Sequence, residues 1–89
     1  MEATIIAAKV KEIIGKITGI PPETITNSAA FVDELGLDSL AVLEIAIDVE
    51  NTFKVRASDE EMQKIKSVDD SVAFILQHKA AEAATVASA

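Results

Sequence analysis

Leu35-Gly36-Leu37-Asp38-Ser39-Leu40, together with the residues that follow it to Phe53, decides how this chain is read. Gly36 breaks regular structure. Asp38 and Ser39 are both favoured at helix N-caps. From Leu40 to Phe53 there is no Gly or Pro, and apolar residues recur at helical spacing, so a helix is predicted over about 39–53. A serine hydroxyl therefore sits in the first turn of a helix, straight after a loop. Unpaired backbone N–H groups and the positive end of the helix dipole favour an anion such as a phosphate there. Ser39 reads as a place where a group is attached.

The elements on either side follow from the same periodicity. Ile6, Val10, Ile13, Ile14 and Ile17 form one stripe of a first helix, about Thr4 or Ile5 to Thr18, with Lys9, Glu12 and Lys16 off it. Gly19 and Pro21-Pro22 end that helix. The connection from Gly19 to Leu37 is long for two helices, which marks it as functional or locally structured. Ile20, Ile25, Phe31, Val32 and Leu35 anchor it, and a short turn is expected near Ala29–Glu34. Ser58-Asp59-Glu60-Glu61 is a capping box opening a short third helix to about Lys64. Ser67 and Val68 start a fourth, to about Lys79, with a stripe of Val68, Val72, Ile75 and Leu76. Phe74 is out of phase with that stripe. The expectation is an all-α four-helix bundle with three longer helices and a short third one. It forms a single domain over 1–89, with a core of about 4–80 and a flexible tail at 81–89.

Composition narrows the function. A chain of 89 residues buries only about 60% of its unfolded surface, so the core must be well patterned. There is no Cys, hence no disulfide, thiolate metal site or cysteine nucleophile, and no metal site is expected. The net charge of −7 argues against nucleic acid and anionic membranes and suits a basic protein partner. Seven acids against two bases lie between Asp38 and Glu61, so most of the negative field is beside Ser39. Met1–Thr4 lacks a basic region and no apolar run approaches membrane-spanning length, so no leader and no membrane insertion are expected. A cytoplasmic monomer fits these features.

The predicted second helix has two unlike faces. Val42, Ile45, Ala46, Val49 and Phe53 share the core side. Leu40, Glu44, Ile47, Asp48 and Asn51 share the other. Exposed Leu40 and Ile47 ringed by carboxylates fit a docking surface for a partner with an apolar notch and a basic rim. The alternative is that both pack under a loop. Catalysis finds little support. A serine nucleophile needs a base, and the single histidine, His78, reads as a cation near a helix C-terminus.

The chain resembles the acyl carrier proteins of type II fatty acid and polyketide synthesis over about residues 4–80. The residues that carry the resemblance are Val10-x-x-Ile13-Ile14, Phe31-Val32-Asp33-Glu34-Leu35-Gly36-x-Asp38-Ser39-Leu40, Glu44, Glu50-x-x-Phe53, Ile65, Ser67-Val68-Asp69 and Ile75. The resemblance implies that Ser39, flanked by Asp38 and Leu40, carries 4′-phosphopantetheine from coenzyme A, transferred by a phosphopantetheinyl transferase. Acyl groups would ride as thioesters on the arm's thiol, and the chain would not itself be an enzyme. Docking to acyl-transfer and synthase enzymes with basic patches would use Leu40, Glu44, Ile47, Asp48 and Glu50. An acyl pocket between helices 2 and 3 would use Phe31, Val42, Ile45, Ala46, Val49, Ala57, Met62 and Ile65. Ala41, Lys54 and Arg56 depart from the pattern, being acidic in many relatives, and fit a specialised carrier. Competing readings are a peptidyl or aminoacyl carrier, a helical interaction module without a prosthetic group, and a small hydrolase using Ser39.

Overall fold

The structure is a computed structural model that describes residues 3–88, with side chains to Lys79. Four α-helices account for most of it: α1 (Ala3–Thr18), α2 (Ser39–Phe53), α3 (Asp59–Lys64) and α4 (Val68–Ser88). α4 runs on to Ser88, past the end expected near Lys79, so the backbone of 81–88 is helical where a tail was expected; the side chains beyond Lys79, and Ala89 altogether, lie outside the described residues. No described helix is long and apolar enough to cross a membrane.

The core is built from the stripes that the sequence spacing picks out. Ile6, Val10 and Ile14 of α1 are completely buried, and Ile13 nearly so. They meet Ile45, Val49 and Phe53 of α2 and Val68, Val72 and Ile75 of α4 in one cluster. Thus α1 is the central helix, packing against both α2 and α4. Burial of one such aliphatic side chain contributes roughly 1.5–3 kcal/mol. Three fully buried residues on α1 alone explain why a small chain with few aromatics can hold a core.

α4 corrects one expectation. Leu76, placed in the buried stripe by periodicity, is exposed, while out-of-phase Phe74 is buried at 7%. α4 packs on α1 and also meets α3, through His78 with Glu61 and through Phe74 beside Lys64 and Ile65, so its buried arc is wider than one stripe. Phe74 joins the core on the α3 side, and its ring lies 4.2 Å from that of His78. Ser71, also on this arc, is completely buried. Its hydroxyl donates to the Ser67 carbonyl at 3.2 Å, which removes the cost of burying it.

The long connection from Gly19 to Asp38 is ordered by its own hydrogen bonds. Pro22–Thr24 forms a single 3₁₀ turn. The Glu34 and Leu35 N–H groups both donate to the Ala30 carbonyl, at 2.9 and 3.1 Å, making the helical turn expected near Ala29–Glu34. Two bonds tie the loop to the far end of the chain: Phe31 N–H to the Lys66 carbonyl at 2.8 Å, and Asp69 N–H to the Asn27 carbonyl at 2.9 Å. Phe31 and Ile25 are buried as its apolar anchors. Gly15 lets the loop come close to α1. A Cβ there would lie 2.9 Å from the Ile20 carbonyl oxygen and 3.0 Å from Pro22 Cγ.

Candidate functional site

Gly36 has φ +70°, a left-handed conformation that glycine adopts without steric cost, and it turns the chain into α2. Asp38 follows with extended backbone. Its Oδ1 accepts from Ala41 N–H at 2.8 Å, and its carbonyl accepts from Val42 N–H at 3.1 Å. This is a side-chain cap closing the first turn. Ser39 is therefore the first helical residue, exposed, at a point whose backbone is fixed by the cap and by the helix behind it.

Ser39 stands on the rim of a groove of about 380 Å³ between α2, the long loop and α3. Val42 of α2, Phe31 and Val32 of the loop, Met62 of α3 and Ile65 beyond it give apolar walls. Asp33, Gln63 and Lys66 supply the polar edge. Two further depressions, of about 540 and 580 Å³, lie along α1 and are not lined by Ser39. The residues expected to form a pocket divide into two groups. Phe31, Val42, Met62 and Ile65 line the groove. Ile45, Ala46 and Val49 are buried beneath it, with Ile45 and Val49 in the core, and Ala57 packs partly buried against that core.

The outer face of α2 is open. Leu40 is 63% exposed and Ile47 45%, so no loop covers them. Leu43, also 45% exposed, completes a stripe at positions i, i+3 and i+7. Leu43 was missed by the sequence reading, although its spacing from Leu40 and Ile47 was signal enough. Glu44 is exposed beside the stripe, and Asp48 is half-buried on the side facing α1. Glu50 turns away from the stripe. Its Oε2 accepts from Ala57 N–H at 2.9 Å and braces the α2–α3 connection.

His78 also lies elsewhere than its sequence position implied. α4 continues well beyond it, so it is not at a helix C-terminus. Its Nε2 is 2.7 Å from Glu61 Oε2. Glu61 Oε1 meanwhile accepts from Ser58 N–H at 3.1 Å in the capping box of α3. The bond to His78 is the main cause holding the Glu61 carboxyl below its ordinary pKa, and the Ser58 backbone bond adds to it. The histidine is thus engaged on the α3–α4 side of the molecule. Among the described residues no group of three or more acids and histidines could hold a metal ion.

Comparison with known proteins agrees with this geometry. The family described as "Phosphopantetheine attachment site" matches residues 8–75. An acyl carrier protein of Zymomonas mobilis is 36% identical over 74 residues, covering 83% of this chain and 95% of that protein. A meromycolate extension acyl carrier protein of Mycobacterium tuberculosis is 43% identical over 70 residues, covering 79% of this chain and 61% of the relative. The aligned region thus spans under two thirds of the mycobacterial relatives' length. The solved structure of an acyl carrier protein from Enterococcus faecalis superposes with a TM-score of 0.73 at 29% identity, covering 88% of this chain and 99% of that one. A small helical bundle presenting a serine at a helix start beside an apolar groove defines a carrier domain. The chain belongs to the acyl carrier protein family. Its prosthetic group is a covalently bound 4′-phosphopantetheine. The residues present suit that group: an exposed hydroxyl to bear it, and an apolar groove at the same rim.

Proposed function

We propose that this protein is an acyl carrier whose arm is attached to Ser39. The observation that carries the reading is the exposed Ser39 hydroxyl, fixed in the first turn of α2 at the rim of an apolar groove. When bound, the arm supplies a terminal thiol that holds acyl groups as thioesters, which a chain without cysteine cannot offer. The chain itself positions the arm and shelters its cargo; it is a carrier, not a catalyst. The engagement of its single histidine with Glu61 supports this, because the imidazole is then not a base for Ser39.

The cargo is an acyl intermediate of lipid or polyketide synthesis, sheltered by Phe31, Val42, Met62 and Ile65. The partners are a phosphopantetheinyl transferase and acyl-transfer and synthase enzymes. They dock on the Leu40, Leu43 and Ile47 stripe, with Glu44 and Asp48 steering a basic patch toward it. The protein works as a cytoplasmic monomer.

Intact-mass spectrometry after incubation with coenzyme A and a broad-specificity transferase tests the reading. The chain should gain one phosphopantetheine, and Ser39→Ala should gain none while keeping its helical circular dichroism. A mass gain that persists in Ser39→Ala would move the attachment elsewhere.

A further inference from the structure

Lys66 has no role in the fold that uses its charge. Its backbone is clamped at both polar groups: the carbonyl accepts from Phe31 N–H at 2.8 Å, and the N–H donates to Asp70 Oδ2 at 2.9 Å. Its side chain is exposed and lines the same groove as Ser39. The groove has one cation among its described lining residues, and it is Lys66. The ion pairs Lys9–Glu12 and His78–Glu61 do not involve it.

We propose that Lys66 is the intramolecular counter-ion of the arm's phosphodiester, holding the root of the arm over the groove. The inference rests on attachment at Ser39. A phosphodiester on Ser39 places one negative charge at the groove's rim, in a chain already carrying −7. Asp33, which lines the same groove, and Asp38, the N-cap next to the serine, repel it. Lys66 offers the opposite charge from a fixed backbone. Because both anchor points are ordered in advance, the contact costs only the freedom of one side chain and the root of the arm. The ammonium suits this task as a compact charge with three donors that needs no fixed approach angle. Held this way, the arm leans toward Met62 and Ile65, the apolar wall its cargo needs, and away from the Leu40 stripe where partners dock. A basic partner arriving at that stripe competes with Lys66 for the phosphate and so frees the arm when it docks.

The test uses the full chain loaded with 4′-phosphopantetheine, the thiol free, followed by ³¹P resonance of the phosphodiester. In the unmodified sequence the resonance should shift as salt is raised, because the Debye length falls from about 10 Å at 0.1 M to about 3 Å at 1 M. Lys66→Gln should sit at the high-salt position throughout, and Lys66→Arg should retain the salt-dependent shift. A Lys64→Gln control, on a neighbouring exposed lysine that does not line the groove, should behave like the parent. In ¹⁵N-labelled protein the Lys66 ammonium signal should move on loading. Coincident ³¹P positions for parent and Lys66→Gln at low salt, or an unmoved Lys66 ammonium, overturn the proposal while leaving attachment intact. A parent chain that gains no mass with coenzyme A and transferase sinks attachment at Ser39, and this inference with it.

Discussion

Glu61 Oε2 and His78 Nε2 are 2.7 Å apart, and this contact joins the capping box of α3 to the middle of α4. None of the six residues of α3 is buried, so burial alone fixes it weakly. One carboxylate does two jobs here. Its Oε1 closes the first turn of α3 and its Oε2 reaches across to α4. Since α3 supplies Met62 and Gln63 to the groove beside Ser39, the contact also helps fix one wall of the site.

The pH dependence of stability follows from the sign of the Glu61 shift. The carboxyl titrates lower in the folded chain than its ordinary value of 4.5, chiefly because of His78. The folded state therefore prefers the carboxylate. This contribution is fully present above the ordinary value and is lost as pH falls through the depressed one. Glu61→Gln should flatten the acid limb of a melting-temperature profile taken between about pH 3 and 6. An unchanged acid limb in Glu61→Gln would show that other carboxylates set it.

Glu50 and Leu43 separate docking from structure. Glu50→Gln weakens the bond to Ala57 N–H, which should cost about 1 kcal/mol of stability with little effect on partner affinity. Leu43→Ala removes exposed apolar surface, so stability should stay within about 0.5 kcal/mol. Affinity for the transferase should fall by about fivefold or more, the loss of roughly 1 kcal/mol expected of an interface anchor. Urea melts and titration calorimetry on both variants check the split; the opposite pattern would place docking on another face.

Two backbone sites predict opposite outcomes for small substitutions. Lys54 caps α2 in a left-handed conformation at φ 56°, where a side chain is strained. Lys54→Gly should stabilise by roughly 0.5–1 kcal/mol. Gly15→Ala gains up to about 1 kcal/mol of helix propensity, but overpacking costs typically about 1–3 kcal/mol. The Ile20 carbonyl it would strike belongs to a segment held by Gly19 N–H to the Gly15 carbonyl at 2.8 Å and Ile20 N–H to Thr18 Oγ1 at 3.2 Å. It cannot yield cheaply, so Gly15→Ala should melt lower than the parent. A higher melting point would mean that the loop moves aside.

What could be read in the sequence was what a single local cause determines. Asp38-Ser39 and the unbroken run to Phe53 specify the start and length of α2, and Ser58-x-x-Glu61 specifies the cap of α3. Features with two causes were harder. Phe74 and Leu76 trade places because α4 faces two neighbours, whereas a stripe assumes one. Ile45 and Val49 share a wheel face with Val42, yet only Val42, nearest the start of α2, reaches the groove. His78 and Lys66 gain their surroundings from residues far along the chain, and no spacing rule encodes Glu61 beside the one or a groove shared with Ser39 for the other.

The groove makes the last prediction. An acyl chain entering it buries methylenes at about 0.8 kcal/mol each before entropy costs. The acylated form should therefore melt above the form with a bare arm, and amide exchange should slow most around Ala57–Ile65, where packing is weakest. Met62, unbranched and half-buried, is the side chain best able to move aside for the chain. Val42→Phe should shrink the acyl-dependent gain, because residue 42 stands on the groove wall and its enlargement fills the space. Ile45→Phe should act differently. Ile45 is completely buried in the core, so overpacking should lower the melting temperature of bare and acylated forms alike by the equivalent of about 1–3 kcal/mol. Melting curves of both variants, each with and without a long acyl chain, separate the two effects. If bare and acylated parent protein melt together, the chain stays outside and the groove is not its shelter.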